Sequence, residues 1–290
     1  MVQREWNQDC GRRWFIKQLS NRKYEKQDRI FHNKTGRKKV KNMEKKTFPK
    51  KENAKYGVFY GVGTGPGDPE LITLKAIRII EHCPIIAAPR TNGGDMVALD
   101  IVRKITDLGD KLVLPMDFTM DRDVSKRQES YRRNADVAAA YLDKGMDIAM
   151  VNLGDVSIYS TFHYVAEEVE KRGYETAMIP GITSFSAIAA SLNMSLTEMN
   201  QPLHIIPAVG EKAGESLALP GTKVLMKAGR RLPDLQKELE RRGLLDVTSV
   251  AVNCGMEDEL LIKALEKETD ISESAGYFTT VIVRDKNIFR

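Results

Sequence analysis

Residue types able to do chemistry gather in three short stretches. "GVGTGPGDPELITLKA" (61–76) places Gly61, Gly63, Gly65 and Gly67 within seven positions. "NLGDVSIYSTF" (152–162) carries Gly154, Asp155 and the hydroxyls of Ser157, Ser160 and Thr161. "PGITSFSAIAAS" (180–191) turns at Gly181 and offers Thr183 and Ser184. Glycine lets backbone approach a bound group closely, a carboxylate accepts N–H and O–H donors, and a hydroxyl does both. Loops of this make grip and orient a small molecule; they hold no conspicuous base.

Spacing excludes the two common phosphate-binding loops. A dinucleotide fingerprint needs G-x-G-x-x-G, and counting from Gly61, Gly63 or Gly65 puts its third glycine on Pro66, Asp68 or Glu70. A triphosphate loop of the G-x-x-x-x-G-K-[ST] type fails because Gly61 plus five is Pro66. Gly67-Asp68-Pro69 reads instead as a turn and a helix cap, with Asp68 accepting backbone N–H groups and Pro69 at the first helical position. Two readings of the glycine run stay open: a tight reversal of the chain, or a wall that a ligand approaches. Asp155 is open in the same way, as a helix cap or as a contact to a bound group.

Other chemistries find little support. Gly181-Ile182-Thr183-Ser184-Phe185 is not a nucleophile elbow, since its fifth position is Phe185. The four histidines, His32, His82, His163 and His204, do not sit beside a nucleophile in the sequence. Cys10, Cys83 and Cys254 lie far apart with no C-x-x-C pair, so no metal site is expected, and a reducing cytoplasm fits the cysteine usage. No run of about 18 apolar residues points to a membrane span.

The formal net charge of +5 is unevenly spread. Residues 1–55 hold 18 Lys or Arg against 6 Asp or Glu, a local +12, which leaves −7 on the other 235 residues. This leader lacks an amphipathic period and is expected to be disordered; its interleaved Trp6, Trp14, Tyr24 and Phe31 leave a nucleic-acid arm as the alternative to an extension before Met43.

These loops need elements to hold them, and a regular alternation begins at Tyr56. Strand-like runs at 58–63, 84–89, 111–116, 147–154 and 176–181 are separated by helical patterns such as "LITLKAIRIIEHC" and "ESYRRNADVAAAYLDKG", the latter stopping at Gly145. This pattern predicts parallel strands with crossover helices. Further runs at 203–209, 222–229, 248–255 and 277–285 read as another set, and "RLPDLQKELERRG" as a helix with Leu232, Leu235 and Leu239 on one face. "GEKAGESLALPG" reads as a loop. The fold class expected is α/β: two α/β domains, 56–172 and 173–290, broken between Lys171 and Thr183, with a ligand cleft between them.

Taken with "VLMKAG" (224–229) and "NCGMEDEL" (253–260), the three opening stretches resemble the tetrapyrrole methyltransferases that use S-adenosyl-L-methionine. The forms "LGDVSIYST" and "CGMEDE" are most similar to the branch that methylates C-20 of precorrin-2 or cobalt-factor II in cobalamin biosynthesis. The resemblance covers about residues 56–286 and leaves the leader without a counterpart. It implies a homodimer of two α/β domains with the cofactor folded into the cleft. By position it implies cofactor contacts from Pro66, Gly154, Asp155, Ile158, Ser160 and Thr161, then Thr183 and Ser184. Met226, the Asn253-Cys254-Gly255 turn and Tyr277-Phe278-Thr279 would complete the pocket. Gly61, Gly63 and Gly65 would let the tetrapyrrole approach. Val156 stands where the common family form has proline.

A sulfonium methyl donor and an electron-rich ring carbon need mainly to be held in line, which suits a sequence poor in acid–base residues. For the proton left on the ring, Asp155 and Tyr159 are weak candidates. For the acetate and propionate groups of the ring, Arg90, Arg230 and Arg231 are expected partners. Alternatives within the superfamily are a uroporphyrinogen-III C-methyltransferase and a ribosomal RNA 2′-O-methyltransferase. The acidic body counts against RNA. A nucleic-acid-binding protein acting through the leader is the alternative of another class.

Overall fold

The structure is a computed structural model that describes residues 55–90, 94–119, 121, 123–208, 213–269 and 275–286. The expected disorder of the leader lies, but for its last residue, outside the described residues. No helix among the described residues is long and apolar enough to cross a membrane.

Ten strands form two five-stranded sheets among the described residues. The first contains β1 (Val58–Gly63), β2 (Ile85–Arg90), β3 (Leu112–Asp117), β4 (Ile148–Asn152) and β5 (Glu175–Ile179), in the order β3-β2-β4-β1-β5. All its pairings are parallel, and the central strands β1 and β4 are buried along their whole length. Burial on both faces is what a parallel sheet covered by crossover helices requires. β5 pairs with β1, so the first sheet runs to Ile179, within the stretch Lys171 to Thr183 where the break between domains was expected.

Local signals set the helices. α1 (Leu74–His82) starts at Thr73, whose hydroxyl accepts from the Ala76 N–H at 3.1 Å. The Asp68 cap serves a separate 3₁₀ turn (Pro69–Leu71), accepting from the Glu70 N–H at 2.8 Å. α2 (Val97–Ile105) follows β2, and α3 (Val124–Leu142) is capped by Asp123 and stops before Gly145, where φ is +74°. α4 (Phe162–Lys171) lays Phe162 on Phe59 of β1 with the rings stacked, centroids 5.3 Å apart. Burying each such ring is worth about 1.5–3 kcal/mol.

The second sheet is mixed. β6 (Leu203–Pro207) and β7 (Thr222–Met226) are parallel, whereas β10 (Thr279–Val283), β8 (Thr248–Val252) and β9 (Leu260–Ile262) extend it antiparallel, in the order β6-β7-β10-β8-β9. α5 (Ser184–Ser191) packs Phe185 and Ile188 against Val224, Ala251 and Ile282 on one face. α7 (Leu232–Arg241) packs Leu232, Leu235 and Leu239 against Leu225, Val250 and Val281 on the other. The segment 210–221, expected as loop, includes a single turn of helix, α6 (Ala213–Ser216).

Candidate functional site

The carboxyl ends of β1, β2, β4, β7 and β8 converge on a cleft of about 570 Å³. Such ends, at the point where strand order reverses, are where open α/β sheets bind ligands.

Most of the glycine run serves the protein's own backbone. Gly61 faces the Phe162 ring, which a Cβ would meet at 2.6 Å. At Gly63 a Cβ would lie 2.6 Å from the Gly181 nitrogen, and at Gly67 it would lie 2.7 Å from the Cys254 carbonyl oxygen. Gly65 pairs with Gly154 in an isolated antiparallel bridge, with N···O distances of 3.2 and 2.7 Å. The run thus ties together the loops after β1, β4, β5 and β8. Gly61, Gly63 and Gly65 are buried and do not line the cleft, so the expected approach of a ring to them is replaced by contact with the protein itself. From this stretch Pro66 lines the cleft.

The β4 loop supplies the next wall through Gly154, Asp155, Ile158, Ser160 and Thr161. The Asn152 side-chain oxygen accepts from the Ser160 hydroxyl at 2.9 Å, and the Ser160 oxygen accepts from the Phe162 N–H at 3.1 Å. Capping of α4 therefore falls to Ser160, not to Asp155. One Asp155 oxygen accepts from the N–H and hydroxyl of Ser157, and the other accepts from the Gly181 N–H at 2.8 Å. Burial alone would raise the carboxyl pKa, but the bonds from Ser157 and Gly181 outweigh it and hold it below its ordinary value. Asp155 is a fixed anion joining two loops.

Tyr159 sits in the same loop with φ +50°, and its hydroxyl donates to the Ile205 carbonyl of β6 at 3.0 Å. Burial pushes this phenol above its ordinary range, so it keeps its proton. Neither weak candidate for proton acceptance is placed as a free base.

Thr183 and Ser184 line the cleft at the start of α5, and Met226, Cys254, Tyr277 and Phe278 close it from the second sheet. Burial, and after it the neighbouring Glu259 carboxylate, push the Cys254 thiol up to about 12. Three residues expected here lie outside the lining. Asn253, at φ +51°, donates to Asp258 at 2.6 Å, and the Gly255 N–H donates to Glu259 at 2.6 Å, so both shape the turn that carries Cys254. Thr279 is fully buried, and its neighbour Thr280 lines the cleft instead, because successive strand residues point to opposite faces.

The arginines divide. Arg90 lines the cleft but makes a two-pronged pair with Asp117, at 2.8 and 2.7 Å, across the β2–β3 register. Arg231 lies outside the lining, 3.9 Å from Asp234. Arg230 lines the cleft, is exposed, and has no ion-pair partner among the described residues.

Sequence reasoning missed Lys227 and Met256, both cleft residues inside the quoted stretches "VLMKAG" and "NCGMEDEL". It also missed Phe118 and Asn152. Tyr159, Lys227 and Asn253 all have positive φ without being glycine, a conformation costing about 1–3 kcal/mol each and concentrated at functional sites.

Among the described residues, hydroxyls on one side, two methionines, four aromatic rings and the cations of Lys227 and Arg230 line a cleft of a two-sheet α/β protein. The family model for Tetrapyrrole (Corrin/Porphyrin) Methylases matches residues 58–270. The chain belongs to this family and is a methyltransferase. It is 29% identical over 241 residues to a precorrin-2 C(20)-methyltransferase of Sinorhizobium sp, covering 78% of this chain and 95% of that one. It is 30% identical over 231 residues to a cobalt-precorrin-2 C(20)-methyltransferase of Salmonella typhimurium, covering 78% and 96%. Among solved structures, the fold is similar to uroporphyrin-III C-methyl transferase from Thermus thermophilus complexed with S-adenyl homocysteine, with a TM-score of 0.56 at 21% identity, covering 78% and 97%. The methyltransferase CobJ gives 0.58 at 16%, covering 79% and 95%.

Proposed function

We propose that this enzyme carries a methyl group from S-adenosyl-L-methionine to C-20 of a reduced tetrapyrrole, precorrin-2 or its cobalt-containing form. The observation that carries the reading is the meeting of all five sequence stretches at one cleft whose chemistry matches both ligands. The choice of C-20 rests on the two C(20) relatives, of whose length the chain covers 95% and 96%.

When bound, S-adenosyl-L-methionine supplies an electrophilic methyl on a sulfonium; the ring carbon takes it as the carbon–sulfur bond breaks, and then gives up a proton. The chain's part is to hold and orient. Thr161, Thr183 and Ser184 present hydroxyls to the polar groups of the donor, while Pro66, Ile158, Met226 and Cys254 pack on its apolar parts and keep water out. Tyr277 and Phe278, edge to face with centroids 5.3 Å apart, form an aromatic corner, and the face of one ring is offered to a heteroaromatic ring. Arg230 pairs with a carboxylate of the tetrapyrrole. Alignment of two reactants lowers a barrier by roughly 7–11 kcal/mol, whereas a positioned base contributes about 10²–10⁴-fold. A cleft whose described residues hold no free base agrees with the first of these. A homodimer belongs to the same reading and rests on the family resemblance; a cytoplasmic location rests on the cysteine usage.

The test is a substrate choice. Purified full-length chain, given methyl-labelled S-adenosyl-L-methionine, is expected to transfer label to precorrin-2 and leave uroporphyrinogen III unlabelled. Labelling of uroporphyrinogen III in preference would replace this reading with the alternative activity of the same family.

A further inference from the structure

We propose that Lys227 binds a carboxylate of the tetrapyrrole and makes the cleft selective for the acid over uncharged ring forms; this rests on the function proposed above. Lys227 directly follows β7. Strand alternation would send Met226 and Lys227 to opposite faces, yet both line the cleft. The left-handed backbone at Lys227, φ +61°, is what turns its side chain to the same side. Glycine fits such a backbone with less strain, so a lysine there is explained by use of its side chain.

The ammonium is held without being neutralised. Nζ lies 5.1 Å from the centre of the Tyr277 ring and 6.0 Å from that of Tyr159, and donates to the Tyr159 carbonyl at 3.4 Å. Rings and a carbonyl attract a cation through fixed partial charges; they do not cancel it. No carboxylate pairs with Lys227 among the described residues. Among the described residues, four charged side chains line the cleft: Arg90, Asp155, Lys227 and Arg230. Arg90 is neutralised by Asp117, and Asp155 is turned onto Ser157 and Gly181. Asp155 keeps its negative charge but spends its oxygens on those loops, which leaves Lys227 and Arg230, both in the segment 227–230, as the cations with no carboxylate partner among the described residues. A half-buried cation lacking a counter-ion favours a ligand that brings one. The aromatic contacts already restrict the lysine stem, so less freedom is lost when the anion arrives.

The methionine end of the donor carries a carboxylate too, and the experiment separates the two sources. Full-length wild type, Lys227→Met and Lys227→Arg are titrated with uroporphyrin, with its octamethyl ester and with S-adenosylhomocysteine. Wild type is expected to prefer the acid to the ester. Lys227→Met is expected to lose about tenfold in affinity for the acid, as for a partly desolvated charge pair, with the ester and S-adenosylhomocysteine unchanged. Lys227→Arg is expected to keep the preference. Equal binding of the acid by wild type and Lys227→Met overturns the inference alone. Weakened S-adenosylhomocysteine with unchanged acid binding also overturns it, placing the lysine on the donor. Failure of wild type to prefer the acid to the ester overturns the inference alone, whereas the tetrapyrrole reading falls only if no label passes from S-adenosyl-L-methionine to precorrin-2.

Discussion

The Gly181 N–H donates to an Asp155 carboxylate oxygen across 2.8 Å, joining the loop after β4 to the loop after β5. The contact fixes one corner of the cleft, because the same carboxylate also holds the Ser157 N–H at 2.9 Å. A carboxylate committed to three donors is a scaffold for the site and not a moving part of the reaction.

Asp155→Ala leaves the half-buried Gly181 N–H and the exposed Ser157 N–H without their partner, so stability is expected to fall by about 1–3 kcal/mol in all, most of it from Gly181. The pH dependence has a definite sign. The folded pKa lies below the ordinary 3.8, so the carboxylate stabilises the fold above that value and the contribution is lost as pH falls through the folded pKa. Urea unfolding at pH 7 and at pH 3 is therefore expected to show a wild type–variant gap that narrows in acid. A gap that widened would reverse the assigned role.

Gly181→Ala places a Cβ 2.2 Å from the Gly154 carbonyl oxygen, and backbone cannot step aside as a side chain does. Destabilisation of at least about 1–3 kcal/mol is expected, as for overpacking. Gly276→Ala is the control, since a Cβ there meets nothing within 4 Å; a change below about 0.5 kcal/mol is expected. Thermal unfolding of the two variants in parallel checks both, and equal melting points would contradict the packing argument.

Much of the fold was legible because its local signals agree with its tertiary demands. Strands β1 to β5 stand within two residues of their predicted bounds at either end; β1, β2 and β4 are buried and read as continuous apolar runs, while the edge strands β3 and β5 are partly exposed. β9 was not legible: "LLI" is three residues long and half-buried, bounded by "MEDE" and Lys263, and exists because it pairs with β8. The antiparallel set of the second sheet was equally hidden, as direction depends on where loops carry the chain. Pro66, Ile158, Thr183 and Met226, which the family resemblance implied as cofactor contacts, all line the cleft. Lys227 was missed because its orientation follows from a left-handed φ that lysine rarely adopts, and no composition rule signals that. Arg90 was found, but its pairing with Asp117 comes from the β2–β3 register, which one strand alone does not reveal.

Tyr159 offers a test of how far the reaction relies on a base. Its hydroxyl is committed to the Ile205 carbonyl and its pKa is raised by burial. Tyr159→Phe is expected to lose far less than the 10²-fold or more, roughly, that follows removal of a general base. Steady-state rates of methyl transfer decide it; a loss of that size would make Tyr159 the proton acceptor.

The two cysteines of the described residues are free and buried. With its thiol pushed up to about 12, Cys254 is expected to stay unlabelled by iodoacetamide at pH 8 in the folded protein and to react once urea unfolds it. Site-resolved mass spectrometry reads this directly. Fast native labelling would mean that the cleft wall is open or the thiol ionised.

The most direct measurement uses S-adenosyl-L-methionine carrying a ¹³C methyl, with precorrin-2 as acceptor, in the presence and absence of cobalt. The product's NMR spectrum is expected to place one new ¹³C methyl on the meso carbon C-20. A methyl on any other carbon, or none transferred to either form of the ring, would contradict the account.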